Sequence, residues 1–526
     1  MAKSLTKSGY TNFRRCEKLL WMNINMRQEA IIDASLQARL DTGSEVGKLA
    51  RGYLGNYKDV TTFDSNGNPD IDAMIKLTQD YIDAVEENIA EAAFSWDGNY
   101  CAVDILHKTP DGYAIYEVKS SSGKKDNSPK KKKKKKNEDE NKNKEELLSE
   151  MYARDIAYQK YVLSQCGINV TGTYLVRINS DYVRGKELDI KQLFYDVDIS
   201  EQVAEEYPLI PESIEAAKKI LAQKEEPDKK IGHYCYKPYD CVFRDYCIRH
   251  QGVEIPENSV FDLYKMNYKD KIDAFYNGRI GFENQDPKVL NNNIRKLQIE
   301  CTLNGTNHID KEGIREFLGQ LSYPLYFLDF ETMNQVVPPF EGTKPNQQIP
   351  FQYSLHYIEK QGGKLEHKEF LGVSGENPLR AIAESICNDI PMNVCTIAYH
   401  KSFECSRLKE LAKMFPDLAE HLRSIKDNIK DLEDPFSEGY YYEPAMKGSF
   451  SIKSVLPALF PNDPALNYQN LSGGVKNGQD AMNIFPAIKD MSPDKQKQAR
   501  QALLDYCKLD TLAMVKIWEK LVEKAK

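Results

Sequence analysis

Two carboxylates follow an apolar run in the segment YPLYFLDFETM, residues 323–333. The four apolar and aromatic residues before Asp329 are typical of a strand buried on both faces at the centre of an α/β sheet. Asp329 and Glu331 are two residues apart, so they lie on the same face of such a strand. Two like charges on one face repel each other unless a cation lies between them. The pattern therefore predicts a metal site at this strand, with a solvent-facing acidic pair as the alternative.

A second set of charged residues lies in a predicted hairpin. Two apolar runs, residues 101–106 and 114–119, are separated by an Asp-Gly turn, which is a hairpin signal. The hairpin puts Asp104 on one strand and places Glu117 and Lys119 on one face of the next. Metal-dependent phosphodiester cleavage needs such a set, because carboxylates hold a divalent ion and an ammonium offsets phosphate charge. Exposed hairpin charges are the simpler alternative.

Cysteines form a third candidate site. Cys235, Cys241 and Cys247 lie within 13 residues, among aromatic residues, proline and lysine that would fill a core poorly. This spacing predicts a metal or cluster site whose fourth ligand is either Cys16 or His233. Four cysteines would suit an iron–sulfur cluster, whereas three cysteines and a histidine would suit zinc.

Composition limits the class of protein. A chain of 526 residues is expected to form two to four domains. A net charge of −8 gives no global attraction to nucleic acid, so such a partner must be held by local patches. No apolar run approaches the roughly 18 residues that span a bilayer, and the first residues contain no apolar signal core. We therefore expect a cytoplasmic protein without a membrane partner, in which the cysteines are reduced.

The chemistry-bearing residues need helices and strands to position them. Tyr506 and Asp510 are four residues apart on a predicted helix, so they share one of its faces. The predicted elements are a largely helical region over residues 1–100 with one helix over 71–93, a helix over 151–166 that includes Gln159, strands over 171–177, 325–329, 351–359 and 394–399, and a final helix from residue 493.

Domain boundaries are predicted at changes in these patterns. The predicted divisions are an N-terminal domain over residues 1–250, a helical connector over 251–322 and a C-terminal domain over 323–526. Residues 124–146 are predicted to be a disordered insertion, because their seven consecutive lysines and the acidic stretch that follows cannot be buried. A tether for nucleic-acid phosphates is the functional alternative for this insertion.

The C-terminal motifs resemble those of the DEDD (DnaQ-like) 3′–5′ exonucleases, in the subgroup with tyrosine in the third motif. The shared order is a strand with Asp-x-Glu, a strand-to-helix turn with an acidic residue, and a late helix with Tyr-x-x-x-Asp. In that family, which has a ribonuclease H-like fold, four carboxylates hold two Mg²⁺ or Mn²⁺ ions.

This resemblance implies a role for each matching residue. Asp329, Glu331 and Asp510 would be metal ligands, and Tyr506 would orient the attacking water or help to deprotonate it. The family usually has Asn followed by Phe-Asp in the second motif, where this chain has His400 and then Phe403-Glu404. Glu404 would therefore be the fourth carboxylate, and the substitutes that remain open are Asp427 and Asp431.

The N-terminal half resembles the RecB-type PD-(D/E)XK nucleases, including CRISPR-associated members and the AddB group. In those nucleases an Asp and a Glu-x-Lys form the metal site, and a helix with a Gln follows. The resemblance implies Asp104 and Glu117 as ligands of Mg²⁺ or Mn²⁺, with Lys119 and Gln159 as catalytic residues. Many such proteins also bind an iron–sulfur cluster, commonly [4Fe–4S], and the corresponding ligands here are Cys16, Cys235, Cys241 and Cys247.

The expected fold class is α/β, with a PD-(D/E)XK restriction-endonuclease-like domain followed by a ribonuclease H-like exonuclease domain. This whole arrangement resembles a bacterial and archaeal family known mainly as a domain of unknown function. The expected function is a metal-dependent nuclease with two catalytic centres, acting on DNA in processing, repair or defence. The alternatives are an RNA exonuclease whose N-terminal domain only binds substrate, and a non-catalytic nucleic-acid clamp.

Overall fold

The chain folds into a mixed α/β structure that divides into two compact units. The computed structural model describes residues 4–125, 144–286 and 288–526. The first unit contains Met1–Glu254 and Val336–Asn346, and the second contains Ile255–Gln335 and Gln347–Lys526. The predicted connector over residues 251–322 therefore belongs almost entirely to the second unit. Most of the predicted insertion, residues 126–143, lies outside the described residues.

A seven-stranded mixed sheet forms the centre of the first unit. Its strands are β1 (Leu5–Thr6), β2 (Lys58–Asp59), β3 (Asn88–Trp96), β4 (Asn99–Thr109), β5 (Gly112–Gly123), β6 (Val170–Asn179) and β7 (Phe194–Asp198). The order is β2-β3-β4-β5-β6-β7, and β1 pairs with β4. The predicted hairpin is confirmed, because β4 and β5 are antiparallel and directly connected.

Helices accompany this sheet. They are α1 (Lys7–Arg15), α2 (Glu17–Asn25), α3 (Ala34–Ala50), α4 (Ile71–Asp83), α5 (Lys144–Gln165), α6 (Ile190–Leu193), α7 (Ser200–Glu206), α8 (Ile210–Ala222) and α9 (Arg244–Arg249). Because β5 and β6 are parallel, they need a crossover connection, and α5 supplies it. The first residues of α5 fall inside the segment that was predicted to be disordered.

The helix predicted over residues 71–93 is wrong in its second half. The helix ends at Asp83, Val85 adopts a left-handed φ of 59°, and residues 88–96 form β3. The sequence ENIAEAAFSW is rich in alanine and glutamate and therefore favours a helix locally. Pairing with β4 and the burial of Ile89 and Phe94 outweigh that preference.

The second unit is built on a five-stranded sheet. The strands of this unit are β8 (His308–Ile309), β9 (Leu325–Asn334), β10 (Gln348–Ile358), β11 (Leu365–Leu371), β12 (Cys395–Ala398), β13 (Ile429–Asp431) and β14 (Tyr441–Tyr442), and five of them form the large sheet. The large sheet has the order β11-β10-β9-β12-β13, and β8 pairs with β14 separately. Strand β10 is antiparallel to both β9 and β11, whereas β12 is parallel to both β9 and β13. The predicted buried strand is thus the middle strand of the sheet.

The helices of the second unit include the long final helix that the sequence predicted. They are α10 (Tyr268–Tyr276), α11 (Asn293–Asn304), α12 (Lys311–Leu318), α13 (Leu379–Asp389), α14 (Ser402–Met414), α15 (Ala419–Asp427), α16 (Asp434–Ser437), α17 (Ile452–Leu459), α18 (Gly478–Ala487) and α19 (Pro493–Ala525). Proline at the first position of α19 suits a helix start, because that position needs no backbone donor. Across the described ranges, no helix is long and apolar enough to cross a bilayer.

Candidate functional site

The second unit brings the predicted C-terminal carboxylates together. Asp329 and Glu331 come from β9, and ligand atoms of these two residues and of Cys507 on α19 all lie within 4.8 Å of one another. Asp510 follows on α19, and its charge acts on both β9 carboxylates. Glu404, in the first turn of α14, lines the same open cleft of about 290 Å³ as Asp329 and Glu331. The structure therefore brings Asp329, Glu331, Glu404 and Asp510 to one region of the second unit.

Glu404 rather than either substitute faces this cleft. Its side chain is 2% exposed, and its Oε2 has no hydrogen-bond partner among the described residues. Asp427 is largely exposed and pairs with the adjacent Lys426. Asp431 accepts hydrogen bonds from the backbone N–H groups of His400 and Lys401, at 2.8 and 2.9 Å, and so holds the turn before α14. Asp431 therefore supports Glu404 from outside the cleft.

Burial makes the ionised forms of these carboxylates costly. Burial and the nearby Asp510 raise the pKa of Glu331 to about 8, and burial raises the pKa of Glu404 to about 8. Burial together with Asp510 and Glu331 holds the pKa of Asp329 well above its usual range. Three buried carboxylates and the partly buried Asp329, with the unpartnered Oε2 of Glu404 among them, form the kind of oxygen-rich site that Mg²⁺ or Mn²⁺ prefers. The residues present therefore fit a divalent-metal centre.

Three residues that the sequence did not single out surround this centre. Tyr468 donates a hydrogen bond of 2.5 Å to Asp510 Oδ1. Lys453 Nζ donates to the Tyr506 hydroxyl at 2.9 Å and lies over the rings of both tyrosines. Cys507 Sγ lies 3.7 Å from Asp329 Oδ2. Of these three residues, only Cys507 could have been found from the sequence, because it adjoins Tyr506 in the third motif. Lys453 and Tyr468 lie outside every motif and reach the site only through tertiary packing.

Metal-free protein is expected to lose stability as pH rises. Glu331 has a pKa of 4.5 ordinarily and about 8 when folded, so the folded chain binds this proton more tightly and stability falls across that window. In EDTA, Glu331→Gln should melt at a higher temperature than wild type near pH 8 and at nearly the same temperature near pH 4.5. Calorimetry with and without Mg²⁺ measures these melting temperatures, and Mg²⁺ should restore the stability of the wild type near pH 8. The exposed Glu376→Gln is the control, and a constant difference across pH would contradict the expectation.

The first unit also assembles its predicted set of residues. Glu117 is 1% exposed and accepts hydrogen bonds from Lys119 Nζ at 2.7 Å and from Gln159 Nε2 at 2.8 Å. Asp104 Oδ2 accepts a hydrogen bond of 2.7 Å from the backbone N–H of Val118. Strands β4 and β5 and helix α5 thus bring all four predicted side chains to one place.

Two further charged residues belong to this N-terminal centre. Asp155 on α5 accepts a hydrogen bond from Lys119 at 2.9 Å. Lys7, the first residue of α1, donates to the two carboxylate oxygens of Glu117 at 2.9 and 3.1 Å and lies 3.9 Å from Asp104 Oδ1. Burial alone would raise the pKa of Glu117, but Lys119 and Lys7 hold it well below its usual range.

A divalent ion does not fit this arrangement. Each oxygen of Glu117 already accepts two hydrogen bonds, and the ammonium of Lys7 lies between Glu117 and Asp104, where the predicted ion would bind. No sequence pattern indicated this, because Lys7 is far from both carboxylates along the chain and α1 brings it back to them.

The four predicted cysteines line one cavity in the first unit. Cys16 lies between α1 and α2, Cys247 lies on α9, and Cys235 and Cys241 are joined by a backbone hydrogen bond. All eleven cysteines of the chain are described and free. Burial and the neighbouring thiols raise the pKa of Cys235 to about 11. His233 does not line this cavity.

The chemistry of this donor set fits a bound metal group. Four thiols line one cavity without forming disulfides, and Arg15, Lys18 and Lys229 line the same cavity, where they would offset thiolate charge. Four cysteine ligands suit an iron–sulfur cluster or a Cys₄ zinc ion. The arrangement therefore favours the four-cysteine alternative over three cysteines with His233.

Cys241→Ser is expected to bleach the protein and loosen its first unit. A cluster would tie Cys16 to residues more than 200 positions later, and cross-linking a long loop strongly restricts the unfolded chain. Visible absorbance, iron and zinc content, and protease resistance of the first unit measure the effect. Cys166→Ser, which changes an exposed cysteine, should have none. A colourless wild type with one zinc would assign zinc to the site, and one without bound metal would contradict the prediction.

Part of the chain matches a family model described as a domain of unknown function (DUF2779), over residues 326–451. This match contains α14 and all of β9 except its first residue, and it ends before Lys453 and α19. An uncharacterized protein, UU173, of Ureaplasma parvum is 26% identical over an alignment of 287 positions, which covers 48% of this chain and 41% of that protein. The chain thus spans less than half the length of this relative. No solved structure matches the chain.

Proposed function

We propose that the protein is a metal-dependent nuclease that hydrolyses phosphodiester bonds in the C-terminal cleft. The observation that carries this proposal is the convergence of three buried carboxylates, Glu331, Glu404 and Asp510, with the partly buried Asp329, and no ammonium bonds directly to any of them in the described chain. Such a set is electrostatically unfavourable unless cations neutralise it. Hydrolysis of a phosphodiester is a reaction that a carboxylate-held pair of divalent ions supports.

The chain's own residues prepare the site for this reaction. Divalent ions bound by the carboxylates would activate a water molecule and stabilise charge on the phosphate. The Tyr506 hydroxyl would hold that water as a protonated group, because burial and the nearby Asp510 raise its pKa far above the usual range. Lys453 and Tyr468 fix Tyr506 and Asp510 respectively. The cleft is open, so a terminal nucleotide would approach the carboxylates through it.

The fold and the resemblance support a 3′–5′ exonuclease. Three antiparallel strands continued by two parallel ones, with the Asp-x-Glu strand in the middle, agree with a ribonuclease H-like fold. We propose DNA as the substrate class, used in processing, repair or defence. We further propose a PD-(D/E)XK-like fold for the first unit. This unit would bind the nucleic acid while its cysteine site is intact.

The test is cleavage by the full-length protein of end-labelled DNA and RNA, single- and double-stranded, in Mg²⁺ or Mn²⁺ and in EDTA. We expect stepwise loss of nucleotides from the 3′ end of DNA, stopped by EDTA. Cleavage of RNA alone would favour the RNA exonuclease alternative. Binding without any cleavage would favour the clamp and reject the nuclease proposal.

A further inference from the structure

We propose that Lys7 is the resident cation of the N-terminal centre, and that a divalent ion binds between Asp104 and Glu117 only after Lys7 leaves. The contacts that carry this inference are direct. Lys7 Nζ donates to both carboxylate oxygens of Glu117 and lies 3.9 Å from Asp104. Lys119 and Gln159 fill the remaining acceptor positions of Glu117. An incoming ion would therefore have to displace the Lys7 ammonium.

Charge balance separates the two centres of the chain. In the N-terminal centre the ammonium groups of Lys7 and Lys119 bond to the carboxylates of Glu117 and Asp155, and Lys7 lies 3.9 Å from the carboxylate of Asp104. Charge-assisted hydrogen bonds of this kind are strong when they are shielded from water. In the C-terminal centre the nearby ammonium of Lys453 bonds to a tyrosine hydroxyl instead of a carboxylate. Only the second arrangement calls for a metal ion.

Contacts of the two preceding residues, Leu5 and Thr6, fix the backbone that carries Lys7. Leu5, two residues before it, pairs with β4, and the Leu5 carbonyl accepts a hydrogen bond of 2.6 Å from the Tyr158 hydroxyl. Thr6 caps α1 by accepting a hydrogen bond of 3.0 Å from the Gly9 N–H. The side chain of Lys7 is only 21% exposed. The backbone is thus fixed, and only rotation of the side chain could free the ion position.

Mn²⁺ binding by the full-length protein tests the proposal. The parent carries Asp329→Asn and Asp510→Asn, which remove ligands of the C-terminal centre, and free Mn²⁺ is counted by electron paramagnetic resonance. Adding Lys7→Met should create one site that binds Mn²⁺ at least tenfold more tightly than any Glu117-dependent site of the parent, on the scale of one removed competing charge. Lys7→Arg, which keeps the charge, should not create that site. Adding Glu117→Gln to Lys7→Met should abolish it.

Two results would overturn the proposal. One is a parent that already binds Mn²⁺ as tightly as the Lys7→Met variant, at a site that Glu117→Gln removes. The other is a folded Lys7→Met variant without any gain in Mn²⁺ binding. If Lys7→Met does not fold, comparing the parent with and without Glu117→Gln decides the matter. These measurements need no cleavage, so they are independent of the proposed nuclease function.

Discussion

Asp329→Ala is expected to abolish metal-dependent cleavage. Asp329 lies at the middle strand of the second sheet, and its carboxylate is among the group of ligand atoms within 4.8 Å of one another. Without it, the remaining carboxylates cannot hold ions in the geometry that in-line attack requires. The loss should reach the background of the assay, measured as nucleotide release per enzyme in Mg²⁺. Asp427→Ala, which removes an exposed carboxylate paired with Lys426, is the matched control and should retain full activity.

The same substitution should behave differently in a stability measurement. Burial and the neighbouring carboxylates raise the pKa of Asp329, so in metal-free buffer its ionised form destabilises the fold. Asp329→Ala should therefore melt at the same temperature as wild type or slightly higher in EDTA, and should lose the stabilisation by Mg²⁺. Loss of activity together with a large fall in melting temperature would instead indicate a structural role.

The origin of any remaining cleavage can be assigned with one more variant. Cleavage that persists in Asp329→Ala but disappears in Lys119→Ala would place the activity in the N-terminal centre. If each single variant still cuts, the double variant separates two independent centres that mask each other. Undiminished cleavage by the double variant would contradict a nuclease role for both centres.

Local patterns predicted the elements that carry the C-terminal site, because alternation along a strand and spacing along a helix are properties of the sequence. These patterns correctly placed Asp329 and Glu331 on one strand face, and the late helix that carries Tyr506 and Asp510. Strand β3 was missed because its alanine-rich sequence is helical by preference and becomes a strand only beside β4. Local sequence patterns were therefore sufficient where pairing with a neighbouring strand did not outweigh the local preference.

Several residues that complete the two centres could not be predicted from the sequence. Lys7, Lys453 and Tyr468 follow no motif, and each reaches its partner only when distant elements pack. Lys7 changes the interpretation most. The sequence predicts a metal site at Asp104 and Glu117, but in the folded chain α1 brings the Lys7 ammonium to this position. The charge of such a site can be counted only after folding has brought its residues together.

Tyr506→Phe is expected to lower turnover without removing the metal ions. The substitution keeps the ring, which is 3% exposed and packs near Tyr468, and it removes the hydroxyl that accepts a hydrogen bond from Lys453. Because the water would lose the group that positions it, kcat should fall by roughly one hundredfold, the usual scale for a positioned acid–base group. Stabilisation by Mg²⁺ and binding of DNA should persist, and both are measured on the same preparation.

Tyr468→Phe distinguishes this role from simple packing. It also removes one hydroxyl from a buried ring, but that hydroxyl donates to Asp510, which is a predicted metal ligand. Loss of the donor should therefore change the Mg²⁺ concentration needed for half-maximal activity more than it changes kcat at saturating Mg²⁺. If Tyr506→Phe instead leaves kcat unchanged, or weakens Mg²⁺ binding as strongly as Tyr468→Phe does, then Tyr506 supports the metal site and another group must hold the water.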